Sequence, residues 1–323
     1  DLGTVGVGQN LTVTTGGALT DSGAVTVAGL GTIVSTGFDV TLGDSTTANF
    51  GSLDFSGAAV SITEASAMEV AASEATGALT LVASGAVTQS GAIDADSTAS
   101  VTAGANAITL TNAGNDFTGA VSLSNSGSND VALTDANALD LGTVGVGQNL
   151  TVTTGGALTD SGAITVGSLA TLVSTGQSVT LGDSTTANFG SLDFAGAAVS
   201  IKEGSSMEIA ASEATGVLTL EASGAITQTG AIDADLASSF TAGANAITLS
   251  NASNDFSGAV SLSNSGTNDV SLTDVNALDL GTVSVGQNLT VTTGGALTDS
   301  GAITVGSLAT LVSTGQSVTL GDS

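Results

Sequence analysis

The chain has 323 residues, of which 41% are hydrophobic, but its aromatic residues are eight Phe with no Trp or Tyr. It carries 29 acidic residues, one basic residue (Lys202) and no His, so its formal net charge is −28, and it would be repelled by nucleic acid and by anionic membrane surfaces. The absence of Cys excludes disulfides and thiolate chemistry, and no run of about 18 hydrophobic residues is present that could span a bilayer.

The hydrophobic residues are mainly Val, Leu, Ile and Ala, so we expect a core that is thin at every cross-section. Pro is absent and Gly occurs 45 times, so turns must be built from Gly, Asn, Asp and Ser. Intrinsic disorder is the alternative for an acidic, Gly-rich chain, but disorder requires low hydropathy. Since the mean hydropathy is +0.43 and the hydrophobic residues are regularly spaced, a folded structure is favoured.

The chain is built from a long sequence repeat. Residues 10–30, NLTVTTGGALTDSGAVTVAGL, return almost unchanged at 149–169 and 288–308. The motif DLGTV begins at Asp1 and recurs, at equal intervals, at Asp140 and Asp279. The sequence repeats, which we call the long repeats, are therefore 1–139, 140–278 and a truncated 279–323. Because the pattern stops in the middle of a repeat, we expect the chain to be a segment of a longer array.

Hydrophobic and polar residues alternate within each long repeat, as around Leu11 and Val13, which is the signature of β-strands. Strand openings recur about every 20–24 residues, and one longer step leads into the next long repeat. The openings are Leu11, Ile33, Phe55, Leu79, Val101, Val121 and, in the next long repeat, Leu150. This spacing predicts six coils per long repeat, the last with an insertion near residues 139–148.

A coil of about 20–24 residues with two or three short strands cannot bury its own hydrophobic residues, so it must stack on its neighbours. We therefore predict an all-β fold, a right-handed parallel β-helix (solenoid), as a single continuous domain through residues 1–323. A string of immunoglobulin-like sandwiches is the alternative. Such sandwiches have about seven strands per roughly 100 residues and usually a core aromatic residue, a pattern that differs from the finer spacing here.

Differences between the repeats indicate which side chains face the core. Five positions exchange one hydrophobic residue for another and are predicted to face inward: Val25/Ile164, Ile33/Leu172, Val70/Ile209, Val87/Ile226 and Val101/Phe240. Val82 becomes Glu221 and Thr63 becomes Lys202, and since a charge requires solvent, both positions are predicted to face outward. Phe38, replaced by Gln177, is also predicted to be exposed. The other recurring Phe residues are predicted to fill wide coil corners: Phe50, Phe55, Phe117, Phe189, Phe194 and Phe256.

Catalysis is poorly supported by the residue types. With no His, Cys or Tyr, and Lys202 as the one basic residue, most general bases, nucleophiles and oxyanion-stabilising groups are missing. The nearest candidates for a glycosidase-type carboxylate pair are Asp94 with Asp96 and Asp233 with Asp235. Such Asp residues more often form turns and keep the exterior soluble, so no catalytic residue and no enzyme activity are predicted.

Calcium is the one cofactor that the sequence brings into consideration. Asp and Asn cluster at 112–116 (NAGND) and 135–140 (DANALD), and hard cations such as Ca²⁺ prefer several such oxygen ligands. The EF-hand loop and the glycine-rich nonapeptide of calcium-binding β-rolls are both absent from the sequence. The candidate calcium ligands are Asp116, Asp130, Asp135, Asp140, Asp255, Asp269, Asp274 and Asp279.

Two stretches, NLTVTTGGALTDSGAITVGSL at 149–169 and SVTLGDSTTANFGSLDF at 178–194, resemble the repeat regions of filamentous-haemagglutinin-like exoproteins. These are large bacterial adhesins that are exported by two-partner secretion and fold as right-handed β-helices. The resemblance covers essentially the whole chain and implies the role of an adhesin stalk. No functional residue carries over, because the secretion domain, the adhesive tip and any Arg-Gly-Asp motif of that family have no counterpart in this sequence.

The resemblance and the tandem repeats lead to two functional expectations. In the first, the chain is an extracellular, non-catalytic β-helical stalk of a large surface adhesin or fibre of a Gram-negative bacterium, which displays a distal site for glycans or for neighbouring cells. In the second, it is a self-assembling filament, sheath or biofilm matrix protein whose copies associate end-to-end or laterally. Neither expectation involves nucleic acid or insertion into a membrane.

Overall fold

The computed structural model describes residues 1–183 and 185–321, and these residues form β-strands, turns and bends with no helix. The described part of the chain accordingly offers no helix with the length and hydrophobicity to cross a membrane. The first twenty strands are β1 (Val5–Val7), β2 (Leu11–Thr15), β3 (Leu19–Thr20), β4 (Val25–Ser35), β5 (Val40–Leu42), β6 (Ala48–Gly57), β7 (Val60–Glu64), β8 (Met68–Val70), β9 (Ser73–Ala75), β10 (Leu79–Ala83), β11 (Val87–Gln89), β12 (Ile93–Ala95), β13 (Ala99–Thr102), β14 (Ile108–Leu110), β15 (Asp116–Phe117), β16 (Val121–Ser124), β17 (Val131–Asp135), β18 (Leu139–Val146), β19 (Leu150–Thr154) and β20 (Leu158–Asp160). The following strands are β21 (Ile164–Ser174), β22 (Val179–Leu181), β23 (Ala187–Gly196), β24 (Val199–Glu203), β25 (Met207–Ile209), β26 (Ser212–Ala214), β27 (Leu218–Ala222), β28 (Ile226–Gln228), β29 (Ile232–Ala234), β30 (Ser238–Thr241), β31 (Ile247–Leu249), β32 (Asp255–Phe256), β33 (Val260–Ser263), β34 (Val270–Asp274), β35 (Leu278–Val285), β36 (Leu289–Thr293), β37 (Leu297–Asp299), β38 (Ile303–Val305) and β39 (Ala309–Ser313).

The chain forms two compact units, Asp1–Gly167 and Ser168–Ser323. Each unit is a parallel β-solenoid, which confirms the predicted fold class. The strands of each unit lie in parallel ladders, and each strand pairs with strands one coil before and one coil after it. The right-handed sense of coiling and the continuity of one solenoid through residues 1–323 stay predictions.

One ladder traces the coils of the first unit. Its members, each paired with the next, are Leu19, Val40, Val60, Leu79, Ala99, Val121, Leu141 and Asp160. Each step covers about 20 residues, the length of a short solenoid coil. One long repeat therefore holds seven coils, and the prediction of six was wrong. The predicted openings missed one coil because two of them lie on a different ladder from the opening before. Leu79 pairs with Val60 and not with Phe55. Leu150 pairs with Val131 and not with Val121.

The second unit repeats this register. Its ladder runs through Val179, Val199, Leu218, Ser238, Val260, Leu280 and Asp299. Each member lies exactly one long repeat after its counterpart in the first unit, so every step has the same length in both units. The sequence repeat is therefore also a repeat of strand pairing.

Inward-facing side chains form a narrow, mainly aliphatic core in each unit. The five hydrophobic exchanges between repeats occur at positions that are at most 1% exposed, which confirms their predicted direction. The Phe residues predicted to fill the interior are also buried, whereas Phe38 is 47% exposed, as predicted. Phe240 packs edge-on against Phe256, with the ring centroids 5.8 Å apart. The corresponding residues of the first repeat are Val101 and Phe117.

The outward predictions are confirmed at the charged positions. Lys202 and Glu221 are ladder partners on adjacent coils, with side chains 52% and 47% exposed and 2.9 Å between Nζ and Oε1. Their counterparts Thr63 and Val82 are ladder partners in the first unit. The exchanges of Thr63 for Lys202 and of Val82 for Glu221 thus affect two positions that are in contact. An exposed ion pair of this kind stabilises a fold by about 1 kcal/mol at most.

A tight corner follows β5 and depends on Gly43. Its φ is +76°, in the left-handed region, and an added Cβ would overlap the carbonyl oxygen of Thr63. Gly182 has φ +74° at the corresponding corner of the second repeat. The backbone at Gly43 therefore lies directly against Thr63, at the end of β7 that is formed by Glu64.

Candidate functional site: acidic ladders and buried carboxyl groups

Each unit carries a row of carboxylates on consecutive coils, which we call the acidic ladder. In the first unit Asp94 pairs with Glu74 on one side and with Asp116 on the other. In the second unit Glu213, Asp233 and Asp255 are paired in the same way. Neighbouring strands lie about 4.8 Å apart, so like charges are stacked at short range along each ladder.

The electrostatics of the acidic ladders show this repulsion. Burial, followed by the charges of Asp96 and Asp116, raises the pKa of Asp94. Burial also raises the pKa of Asp233, and the neighbouring carboxylates Asp255, Asp235 and Glu213 raise it further. The carboxylate pairs that were considered for catalysis, Asp94 with Asp96 and Asp233 with Asp235, are therefore members of, or neighbours to, the acidic ladders.

A shallow groove of about 330 Å³ lies beside the acidic ladder of the second unit. Asp193, Glu213 and Asp233 line it together with Phe194, Ser212 and three Ala residues. Burial raises the pKa of Asp193. A row of separate carboxylates attracts cations but differs from a chelating site, in which several oxygens converge on one ion. Within residues 1–183 and 185–321, no group of three or more acidic side chains has the arrangement to hold a metal ion.

The eight calcium candidates are distributed among four kinds of position. Asp116 and Asp255 are half-buried members of the acidic ladders. Asp130 is exposed, and its Oδ1 accepts hydrogen bonds from the backbone N–H of Asn149 (3.2 Å) and from Asn149 Nδ2 (3.0 Å). Asp269 makes the same two contacts with Asn288, at 3.1 and 2.9 Å.

The other four candidates are engaged with neighbouring turns. Asp135 is 1% exposed, and its two oxygens accept from the backbone N–H groups of Phe117 (2.8 Å) and Asn137 (3.1 Å). Asp274 is bound in the same way by Phe256 and Asn276. Asp140 accepts a hydrogen bond from the Ser161 hydroxyl at 2.7 Å, and Asp279 accepts one from the Ser300 hydroxyl at 2.6 Å. The eight candidates are thus corner or ladder residues. Burial first, and then the charge of Asp116, raises the pKa of Asp135, and Asp255 has the same effect on the buried Asp274.

Two buried carboxyl groups are absent from the sequence-based candidates. Glu64 is 0% and Glu203 is 1% exposed, at equivalent ends of β7 and β24. Burial, partly opposed by a hydrogen bond from the backbone of Phe50, raises the pKa of Glu64 to about 7. Burial raises the pKa of Glu203 to about 7 as well, against hydrogen bonds from Phe189 and Ser205. The alternation in Val60-Ser61-Ile62-Thr63-Glu64 was the available signal, because it assigns Glu64 to the inward row with Ile62.

The sequence family described as repeats of unknown function (DUF5649) matches five consecutive segments that together cover nearly the whole chain: 1–54, 57–124, 128–193, 196–263 and 267–323. The segments are shorter than the long repeat, and each contains several coils. Comparisons with curated proteins and with solved structures give no match.

Proposed function

The chain belongs to the DUF5649 family of repeats of unknown function, and we propose that it acts as a non-catalytic β-helical stalk of a large bacterial surface adhesin or fibre. In this role the repeats set the distance between a cell and a distal binding site for glycans or for another cell. The proposal places the chain outside a Gram-negative cell and assigns it no enzyme activity.

The observation that carries the proposal is the identity of strand register in the two units. The ladder from Val40 to Asp160 and the ladder from Val179 to Asp299 advance by the same steps. Stability in such arrays comes from contacts between neighbouring coils, so coils can be added without redesigning the rest of the fold. A structure that is extended by repetition suits a spacer whose useful property is its length.

The use of the polar side chains supports the non-catalytic part of the proposal. Asp135, Asp274, Glu64 and Glu203 are buried and bind backbone N–H groups of neighbouring coils. The exposed Asp130 and Asp269 hold the turns at Asn149 and Asn288. These carboxylates connect one coil to the next, which is a structural use of residues that could otherwise serve as acids or bases.

The stalk proposal is tested by measuring length and location. Seven coils at about 4.8 Å each predict that inserting one further long repeat lengthens the particle by about 34 Å, measured by electron microscopy or small-angle X-ray scattering. In cells that encode the chain, antibody should label it on intact cells without permeabilisation. A particle that grows in all dimensions, or labelling that requires permeabilised cells, would refute the proposal.

A second function, lateral self-assembly, is favoured by the charge distribution. One outward face of each unit carries stacked Ser and Thr residues, which we call the hydroxyl columns. The columns are Thr41, Ser61, Thr80, Ser100 and Ser122 in the first unit, and Thr180, Ser200, Thr219, Ser239 and Ser261 in the second. Hydroxyl groups both donate and accept hydrogen bonds, so two such faces are mutually complementary.

The hydroxyl columns have no net charge in a chain whose net charge is −28. In the first unit the adjoining outward row is Thr63, Val82, Thr102 and Ser124. In the second unit the same row begins with Lys202 and Glu221, whose charges cancel in the ion pair. We infer that a second copy of this chain approaches this face with the least repulsion, and that filament formation would use it.

A further inference from the structure

Glu64 and Glu203 are buried acids that form no ion pair in the described residues, since Lys202, which precedes Glu203, points outward and pairs with Glu221. Glu64 ends β7 and points inward, with Ala83 as its ladder partner on the next coil. Glu203 has the small residues Ala187 and Ala222 as ladder partners on its two sides. These Ala residues leave room for the longer Glu side chain, but they offer it no hydrogen-bonding group other than the backbone.

Two hydrogen bonds close a short coil at each Glu. Oε1 of Glu64 accepts from the backbone N–H of Phe50 at 2.5 Å, and the N–H of the adjacent Ala65 donates to the carbonyl oxygen of Ala48 at 3.1 Å. In the second repeat, Oε1 of Glu203 accepts from Phe189 at 3.0 Å, and the N–H of Gly204 donates to Ala187 at 2.9 Å. We call these paired contacts the corner clasps, one in each full long repeat.

The second oxygen of each carboxyl group has no partner. Oε2 of Glu64 and Oε2 of Glu203 are buried and make no hydrogen bond in the described structure. An ionised carboxylate in this position would leave negative charge unsolvated in the core, whereas a protonated carboxyl leaves only one O–H unsatisfied. Burying an unpaired charge costs far more than burying an unpaired neutral group, so burial favours the protonated form even though the hydrogen bonds to Oε1 favour the ionised one.

The titratable groups around the clasps do not compensate an ionised Glu. They are all acidic in the first repeat: Asp44 in the turn after β5, Asp54 on β6 and Glu69 on β8. In the second repeat the corresponding groups are Asp183, Asp193 and Glu208, together with the outward ion pair of Lys202 and Glu221. β10 carries no titratable residue, and β27 carries only Glu221. Burial therefore causes the raised pKa of both Glu residues, and the hydrogen bonds oppose it.

We propose that Glu64 and Glu203 make each corner clasp a pH-sensitive point of the solenoid, closed while the carboxyl group is protonated and loosened as it ionises. The loosening is local, because it frees the N–H groups of Phe50 and Phe189 at the start of β6 and β23. The inference does not depend on the proposed function, since it concerns the fold in any location.

The direction of the pH effect follows from the raised pKa. The folded pKa is about 7, above the ordinary value of 4.5, so the protonated form contributes stability that is fully present below 4.5 and is lost as the pH rises through 7. Opening should therefore become about tenfold more frequent per pH unit between about 5 and 7, up to about 300-fold in total, and then level off.

Amide hydrogen exchange of the full chain tests the proposal at each clasp separately. Protection factors for Phe50 and Ala65, corrected for the intrinsic pH dependence of exchange, should fall between pH 5 and pH 7.5. E64Q keeps an Oε1 acceptor but cannot ionise, so it should abolish the fall at Phe50 and leave the fall at Phe189 intact. E203Q should do the reverse. E69Q, which removes an exposed charge nearby, should leave both clasps pH-dependent.

A carboxyl titration of the unmodified chain provides an independent measurement if a Gln variant fails to fold. Carbon-13 NMR of the Glu side chains should show two carboxyl groups with midpoints near 7. Midpoints below 5 for all Glu residues would overturn the proposal. Protection at Phe50 and Phe189 that is the same at pH 5 and pH 7.5 would also overturn it.

Discussion

Several buried polar side chains accept hydrogen bonds from backbone N–H groups of neighbouring coils. Asn115 is fully buried, and its Oδ1 accepts from the N–H of Ile93 at 2.9 Å. Ser73 accepts from Phe55 at 3.1 Å, and Asp135 accepts from Phe117 at 2.8 Å. A buried N–H without an acceptor is costly, so a corner that lacks a facing carbonyl group requires such a side chain. These residues explain polar positions that interrupt an otherwise hydrophobic inward row.

Replacing Asp135 by Ala should destabilise the chain. The change leaves the buried N–H group of Phe117 without its acceptor, at a cost of about 1–3 kcal/mol. It also removes the acceptor of the N–H of Asn137, an exposed residue that water can solvate. The midpoint of chemical denaturation, followed by circular dichroism, should fall, and D274A should shift it similarly. D130A removes an exposed acceptor and is the matched control, with an expected loss below about 1 kcal/mol. Equal midpoints for D135A and D130A would contradict the assigned role.

The acidic ladder is the strand feature with the clearest energetic consequence. Parallel stacking places Glu213, Asp233 and Asp255 on three successive strands, and like charges on adjacent strands are destabilising. Burial is the main cause of the raised pKa of Asp233, and repulsion from the neighbouring carboxylates raises it further. Since a raised acidic pKa means stability that is lost as the pH rises, the ladder should weaken the fold more at neutral pH than in acid.

D233N should therefore raise the unfolding midpoint at pH 7 and low salt. The expected gain is about 0.2–1 kcal/mol, because Asn removes one of three stacked charges and keeps the shape of the side chain. The gain should shrink in 1 M salt, where the Debye length is about 3 Å, and should vanish at a pH where the carboxylates are protonated. D44N removes an exposed turn charge and should have a smaller effect. A gain independent of salt and pH would exclude charge repulsion as its cause.

The charge of the chain as a whole governs how copies meet. A net charge of −28 repels other copies, and this repulsion is screened by salt over about 10 Å at 0.1 M. The hydroxyl columns are uncharged, and the charges of Lys202 and Glu221 in the adjoining row cancel in their ion pair, so association through this face requires the least screening by salt. The hydroxyl columns of one repeat form a small contact surface. If two copies associate through several repeats at once, the binding free energies of these surfaces add.

Light scattering and sedimentation should detect this dependence. We expect monomers at low ionic strength and lateral association above a threshold concentration of NaCl or Ca²⁺. T80E places a charge within the hydroxyl columns and should raise the threshold. T88E makes the same change at an exposed position beside Glu69 on another ladder and should have less effect. Association that does not change with salt or with chelator would refute the electrostatic explanation. Equal threshold concentrations for T80E and T88E would refute the hydroxyl columns as the contact face.

Alternation of hydrophobic and polar residues, together with the spacing of the strand openings, was sufficient to predict β-strands, stacked coils, and the direction of residues such as Ile33, Val82 and Lys202. This information is local, because successive side chains on a strand point to opposite sides wherever the strand lies. The length of the long repeat and the acidic, nearly cation-free surface are likewise properties of the linear chain.

The number of coils and the roles of Asp135 and Glu64 depend on contacts between coils. β4 pairs with β1 and β2, and the N–H of Phe50 donates to the carboxyl group of Glu64, a contact between neighbouring coils. The alternating pattern alone is compatible with six or with seven coils per long repeat, and only the strand pairing distinguishes the two numbers. Asp135, a candidate calcium ligand by sequence, is thus a buried hydrogen-bond acceptor, because stacking of the coils places its carboxyl group beside the N–H of Phe117.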